Sequence, residues 1–191
     1  MEHHITQSRL STLLVGVFLV SFSLLAFEIA LARLLSVILS YHYVFAVVSL
    51  SLFGIGIGGI FIHFSQKKTP DKAQLFHSLS LFSGFCSLAM TLSPLVAIQV
   101  GHLETVGTNI FLYWVIFIFP FVFGGMFLAK VFSSFPALGS MIYGSDLIGA
   151  ASACLGVVLA LNIFSPVCAI FFFAGVTSIS SVLFSFNRNT A

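Results

Sequence analysis

Apolar residues run through this chain in long unbroken stretches, separated by brief polar interruptions. A transmembrane β-strand alternates apolar with polar over about ten residues, and that pattern is absent. The stretches are instead about 20 residues long, enough to cross about 30 Å of hydrocarbon as helix at about 1.5 Å per residue. The pattern predicts six spans, at 11–32, 43–63, 75–98, 109–131, 143–163 and 166–186. The connections are short. The expected fold is therefore an all-α integral membrane protein: one six-helix transmembrane bundle over 11–186, with a polar, disordered tail at 1–10 and a short tail at 187–191.

Composition agrees and sharpens the question. Hydrophobic residues make up 59% of the chain and charged residues 6%, with a mean hydropathy of +1.17. A soluble domain carries about a quarter charged residues. Each ionisable residue inside a span thus needs a reason, and three qualify: Glu28, Arg33 and Asp146.

The basic residues give an orientation. Arg9, Lys67, Lys68, Lys72, Lys130 and Arg188 fall on one side of the predicted spans, and Arg33 alone falls on the other. Excess Lys and Arg mark the cytoplasmic side, so both termini are expected inside, in a bacterial inner membrane. The net charge of +2 reflects this bias and implies no nucleic-acid partner. Arg9 and the apolar run from Leu13 to Phe27 are compatible with a signal peptide, with Ala30 and Ala32 as small residues at a cleavage site. Glu28 interrupts that reading and apolar sequence resumes after Arg33, so helix 1 is expected to be retained.

Small residues suggest the packing. Gly54, Gly56 and Gly59 formally match a dinucleotide fingerprint, but no strand precedes them. Ser51, Gly54 and Gly58 share a face, and small residues let helices approach closely in lipid. Helix 5 repeats the device with Ser145, Gly149 and Ala153, flanked by Ser152 and Gly156. Helices 2 and 5 are therefore expected at the buried centre. Pro120 and Gly124-Gly125 predict a kink and a thin face in helix 4. Cys86, Cys154 and Cys168 lie in separate spans and read as small packing residues.

Helix 1 is expected to close near Ala32, with Leu34–Ser40 lying along the outer interface and leading to Tyr41, His42 and Tyr43. Tyr113 and Trp114 extend the same aromatic belt. Leu31-Ala32-Arg33-Leu34-Leu35-Ser36 before helix 2 is similar to Leu128-Ala129-Lys130-Val131-Phe132-Ser133 before helix 5. Three helices separate the two, as in a 3+3 inverted repeat of the kind found in transporters.

The candidate substrate or ion-path residues are Glu28, Arg33, His42, Tyr143 and Asp146. An acid at mid-membrane costs about 2.5–3.5 kcal/mol on insertion scales. Glu28 is either a structural clamp on the helix 1 turn, a ligand- or proton-carrying acid, or a protonated filler. Arg33 is about 140° away around a regular helix and does not share its face. Asp146 is placed in the first turn of helix 5, where it complements the helix dipole or stands with Tyr143 below the Gly149 stripe. The two acids are expected at opposite depths. No spacing gives a metal site, and no catalytic or cofactor motif is present.

The segments Phe27–Ser36, Tyr41-His42, Ser49–Gly54 and Tyr143–Ala151 together resemble the membrane part of bacterial spermidine-synthase-like proteins. The resemblance covers roughly 25–65 and 115–185. It implies a membrane domain associated with a soluble aminopropyltransferase- or methyltransferase-like enzyme. This sequence holds no Gly-rich nucleotide loop or catalytic acid of such a domain after helix 6, so catalysis by this chain alone is not expected. Three functions follow: a non-catalytic membrane partner that docks such an enzyme or handles a polyamine-like cationic substrate, a small secondary transporter of a cationic solute or protons, or a structural subunit in a homo- or hetero-oligomeric membrane complex.

Overall fold

The computed structural model of the protein describes residues 7–38, 44–65, 72–103 and 110–188. Six helices account for nearly all of them: α1 (Gln7–Ile38), α2 (Val44–Ser65), α3 (Lys72–Leu103), α4 (Ile110–Ser134), α5 (Gly139–Ile163) and α6 (Pro166–Arg188). A single 3-10 turn, Pro136–Leu138, leads into α5, and no strand occurs among the described residues. All six helices are long and apolar enough to cross a membrane.

Local chemistry sets several boundaries. Phe164 N–H donates to Ala160 O at 2.7 Å and closes α5. Ser165 then accepts from Cys168 N–H, and Pro166 occupies the first helical position, where a missing N–H costs nothing. Several hydroxyl groups within the apolar spans are satisfied by their own helix: Ser83 donates to Leu79 O, Thr91 to Ser87 O and Thr177 to Phe173 O. This back-bonding makes hydroxyls affordable where water is absent.

Side-chain pairs fix the helix directions. Ser145 donates to Leu14 O, and the space beside Gly149 is closed by Phe18 O and that beside Gly156 by the Phe22 ring, so α5 runs parallel to α1. Gly54 lies against Ile118 and Phe121 and Gly58 against Val122 and Met126, so α2 runs parallel to α4. Ser180 donates to Gly16 O while Phe22 meets Phe173, which makes α6 antiparallel to α1. Gly124 abuts Leu24, and the Phe27 and Phe121 rings meet at 5.5 Å, which makes α4 antiparallel to α1 as well. The first and last described residues thus lie at the same end of the bundle.

The packing order differs from the expectation that α2 and α5 form the centre. α1 packs on both α5 and α6, α4 packs on both α2 and α3, and α3 pairs with α6. In α1, 56% of the apolar span is buried, against 28% in α2 and 22% in α5. A small-residue stripe thins only one face of a helix. α2 and α5 each use that face on one partner and leave the remainder to lipid, with Phe45, Leu52 and Phe61 exposed on α2 and Leu155 and Leu159 on α5.

Other expectations are corrected in the same way. α1 does not close near Ala32; it continues to Ile38, and Leu34 and Leu35 are buried core residues rather than an interfacial segment. No Gly or Pro interrupts this stretch, so nothing stops the helix. α1 also begins at Gln7, inside the tail expected to be disordered. Tyr113 is buried and Trp114 half-buried at the start of α4, packed near Leu35, Val47 and Leu50. Cys86 is buried, whereas Cys154 and Cys168 are exposed on the bundle surface. Pro120 remains inside a continuous α4. Tyr41, His42, Tyr43, Lys67 and Lys68 lie outside the described residues.

Candidate polar site along α1

The core around α1 is mostly hydrocarbon, with Ser23 buried and unpartnered, Ser180 of α6 bonded to Gly16 O, and one polar strip that holds the acids. Ser21 and Glu28 are seven residues apart, so they lie two turns apart, about 10 Å, and within about 20° on the helix. Both are occupied from neighbouring helices. Ser21 Oγ donates to Asp146 Oδ1 of α5. Ser51 of α2 stands within hydrogen-bonding reach of the Glu28 carboxyl, and its own hydroxyl donates to Val48 O at 2.8 Å. α1 therefore presents two acid–hydroxyl pairs, one toward α5 near its middle and one toward α2 nearer its C-terminal end.

The small residues explain how these pairs form. Gly149 brings α5 so close to α1 that an added Cβ would sit 2.7 Å from Phe18 O. At that separation a short side chain such as Asp146 reaches Ser21, and Ser145 reaches Leu14 O at 2.6 Å. Ala153 continues the contact and is fully buried. On the other side, Gly54 and Gly58 draw α2 against α4, where a Cβ on Gly58 would collide with Val122 O. That holds Ser51, one turn earlier and buried, on the side where Glu28 lies.

Two expectations about the acids change. α5 begins at Gly139, so Asp146 is its eighth residue, and no acid occupies its first turn. The helix-dipole role is thereby removed. The acids are also not at opposite depths: Asp146 is joined to the middle of α1, two turns from Glu28. Tyr143 is 55% exposed and lies outside this strip.

Arg33 is separate. α1 stays helical through Glu28 and Arg33, and no ion pair joins them. The Arg33 side chain is exposed and lines a groove between α1 and α5 with Ser36 and Asn162.

Sequence reasoning missed Ser21, which in an apolar run resembles any small packing residue. The available signal was its seven-residue spacing from Glu28. Ser51 and Ser145 were read as packing positions, whereas each also supplies a hydroxyl. Among the described residues no group of three or more His, Cys, Asp or Glu could hold a metal ion.

Chemically, a carboxyl paired with a hydroxyl in an apolar interior can carry a proton or replace part of a small cation's hydration shell. Intramembrane acids are rare and costly, and they commonly mark ion or proton pathways. No protein-family model, curated protein or solved structure matches this chain.

Proposed function

We propose that the protein is a small secondary transporter that moves protons or a small cationic solute along the polar strip of α1. The observation that supports this best is the pair of acids, Glu28 and Asp146, each set against a serine of another helix two turns apart in a bundle whose buried polar side chains are otherwise hydroxyls among the described residues.

The arrangement of helices adds support for a 3+3 inverted repeat. Exchanging each helix with the one three places along turns the α1–α5 contact into α4–α2 and α1–α6 into α4–α3, and returns α3–α6 to itself. In that last pair Ser80 Oγ donates to Ser181 O at 2.9 Å and Ser181 Oγ to Ser80 O at 2.8 Å, as expected beside a pseudo-two-fold axis in the membrane plane. The basic residues favour a cytoplasmic position for both termini and a bacterial inner membrane.

Purified protein in proteoliposomes tests the reading directly. Proton flux and polyamine flux are measured under an imposed gradient for the wild type, Glu28→Gln and Asp146→Asn. Amide replacements keep the shape and an acceptor oxygen, so the bundle is expected to survive while flux is lost. A wild type that moves neither class of cation, or variants that transport normally, would overturn it.

A second reading, a membrane partner for an aminopropyltransferase-like enzyme, is favoured by a different observation. The segments Phe27–Ser36 and Ser49–Gly54, which carry part of the resemblance to that family, meet at Glu28 and Ser51, and the third, Tyr143–Ala151, packs on the same helix two turns away at Ser21. Co-purification of a soluble nucleotide-fold protein in stoichiometric amount would support this reading. Recovery of the chain alone, or with membrane subunits only, would reject it.

A further inference from the structure

The groove between α1 and α5 measures about 390 Å³ and has two kinds of wall. Ile29, Val157, Val158 and Leu161 are hydrocarbon, while Arg33, Ser36 and Asn162 form a polar margin. Arg33 is five residues from the last residue of α1, about 7 Å along the axis. A long basic side chain at that depth can extend its head to the membrane interface.

The Arg33 guanidinium carries a full positive charge at that margin. Among the described residues no carboxylate pairs with it. Glu28 points elsewhere, toward Ser51, and Asp146 is engaged by Ser21. The Ser36 hydroxyl donates to Arg33 O and so to the backbone rather than the side chain. A cation at the edge of hydrocarbon needs a counter-charge, and none of the described residues supplies one. Guanidinium matches a phosphate oxygen pair in geometry and can hold it by two parallel hydrogen bonds. The most abundant phosphate at that depth belongs to lipid.

We propose that this groove is a binding site for an anionic phospholipid. Its phosphate sits on Arg33 and the Asn162 amide, and one acyl chain lies against Ile29, Val158 and Leu161. The proposal is independent of transport, since neither acid contributes to it. Charge complementarity selects the occupant: a net-neutral headgroup brings its own cation and leaves Arg33 uncompensated.

Native mass spectrometry of the full chain in mild detergent tests this, with phosphatidylglycerol and phosphatidylcholine of identical acyl chains as probes. The wild type is expected to retain one phosphatidylglycerol in preference to phosphatidylcholine. Arg33→Gln is expected to weaken retention by about tenfold or more, the scale of a lost charge-assisted hydrogen bond. Arg33→Lys keeps part of it. Val158→Trp fills the groove from an exposed position while leaving Arg33 in place, and should also displace the lipid. Equal retention by wild type and Arg33→Gln, no preference between the two lipids, or unchanged binding in Val158→Trp would overturn the proposal. Displacement of phosphatidylglycerol by millimolar inorganic phosphate would do so too, because it would mark a soluble-anion site. If Arg33→Gln fails to fold, Val158→Trp and the lipid preference of the wild type still decide.

Discussion

Two interfaces in this bundle are built by the same device and differ in what they enclose. α5 lies on α1 through Ser145, Gly149 and Ala153, and α2 lies on α4 through Gly54 and Gly58. Both bring backbones into direct contact. Between α2 and α4 the contact is dry: Gly58 meets Val122 O and Met126 N, and Gly125 meets the Ile55 backbone. Between α1 and α5 the same closeness carries hydrogen bonds from Ser145 to Leu14 O and from Ser21 to Asp146. Close approach is therefore the general means of assembly, and polarity was added to it on one side only. In lipid the hydrophobic effect does not drive helices together, so the dry interface must rest on packing, whereas the polar one has a second source of attachment.

The largest expected effect separates the two by sterics. Gly58→Leu should be the most damaging change, because the obstruction is backbone on both sides and cannot move aside. The cost is expected at or above the upper end of the about 1–3 kcal/mol seen for overpacking, read as loss of the monodisperse species in detergent. Gly149→Leu should be slightly milder, since Phe18 O is the main obstruction. Next come Glu28→Gln and Asp146→Asn, which should leave thermal unfolding within about 1 kcal/mol of wild type while abolishing cation flux in proteoliposomes. If Asp146→Asn instead unfolds the bundle, the polar side is structural and the distinction drawn above collapses. Ser145→Ala should cost about 0.6 kcal/mol, the usual worth of one interhelical hydrogen bond in a membrane, measured by unfolding in mixed micelles. The smallest effect is expected at Gly56. Its Cβ position is open, so Gly56→Ala should stabilise by about 0.5 kcal/mol through helix propensity alone. Destabilisation there would mean that an additional surface covers α2.

The contrast also explains what could be read from the chain. Six spans were legible because length and apolarity are local properties, and they hold for every helix. The stripes at Gly54/Gly58 and Ser145/Gly149 were legible as contact faces for the same reason. Their partners were not. A small-residue stripe names a face but carries no information about which helix fills it, and the inference that two striped helices must be central failed on that point. Asp146 was misjudged because α5 starts at Gly139 through a Pro136–Leu138 turn, and boundaries are the least reliable part of a pattern reading. Its partner, Ser21, is 125 residues away and was visible only as an unexceptional hydroxyl. Glu28 and Arg33 stood out in the sequence as residues needing a reason, but their separate surroundings depend on α2 and α5, which no spacing within α1 encodes.

The distant partners of α1 have a consequence for how the protein is made. α1 leaves the ribosome before α2–α6, with Ser21 and Glu28 exposed on one strip. The residues that meet Leu14, Gly16 and Ser21 are 131, 164 and 125 positions later. During synthesis, α1 must wait in the bilayer, or against a helper, until α5 and α6 have been inserted. A chain interrupted after α4 would retain every contact of α4 with α2 and α3 but lose the hydrogen bonds at Leu14, Gly16 and Ser21, so α1 is completed only after the last helices that follow it.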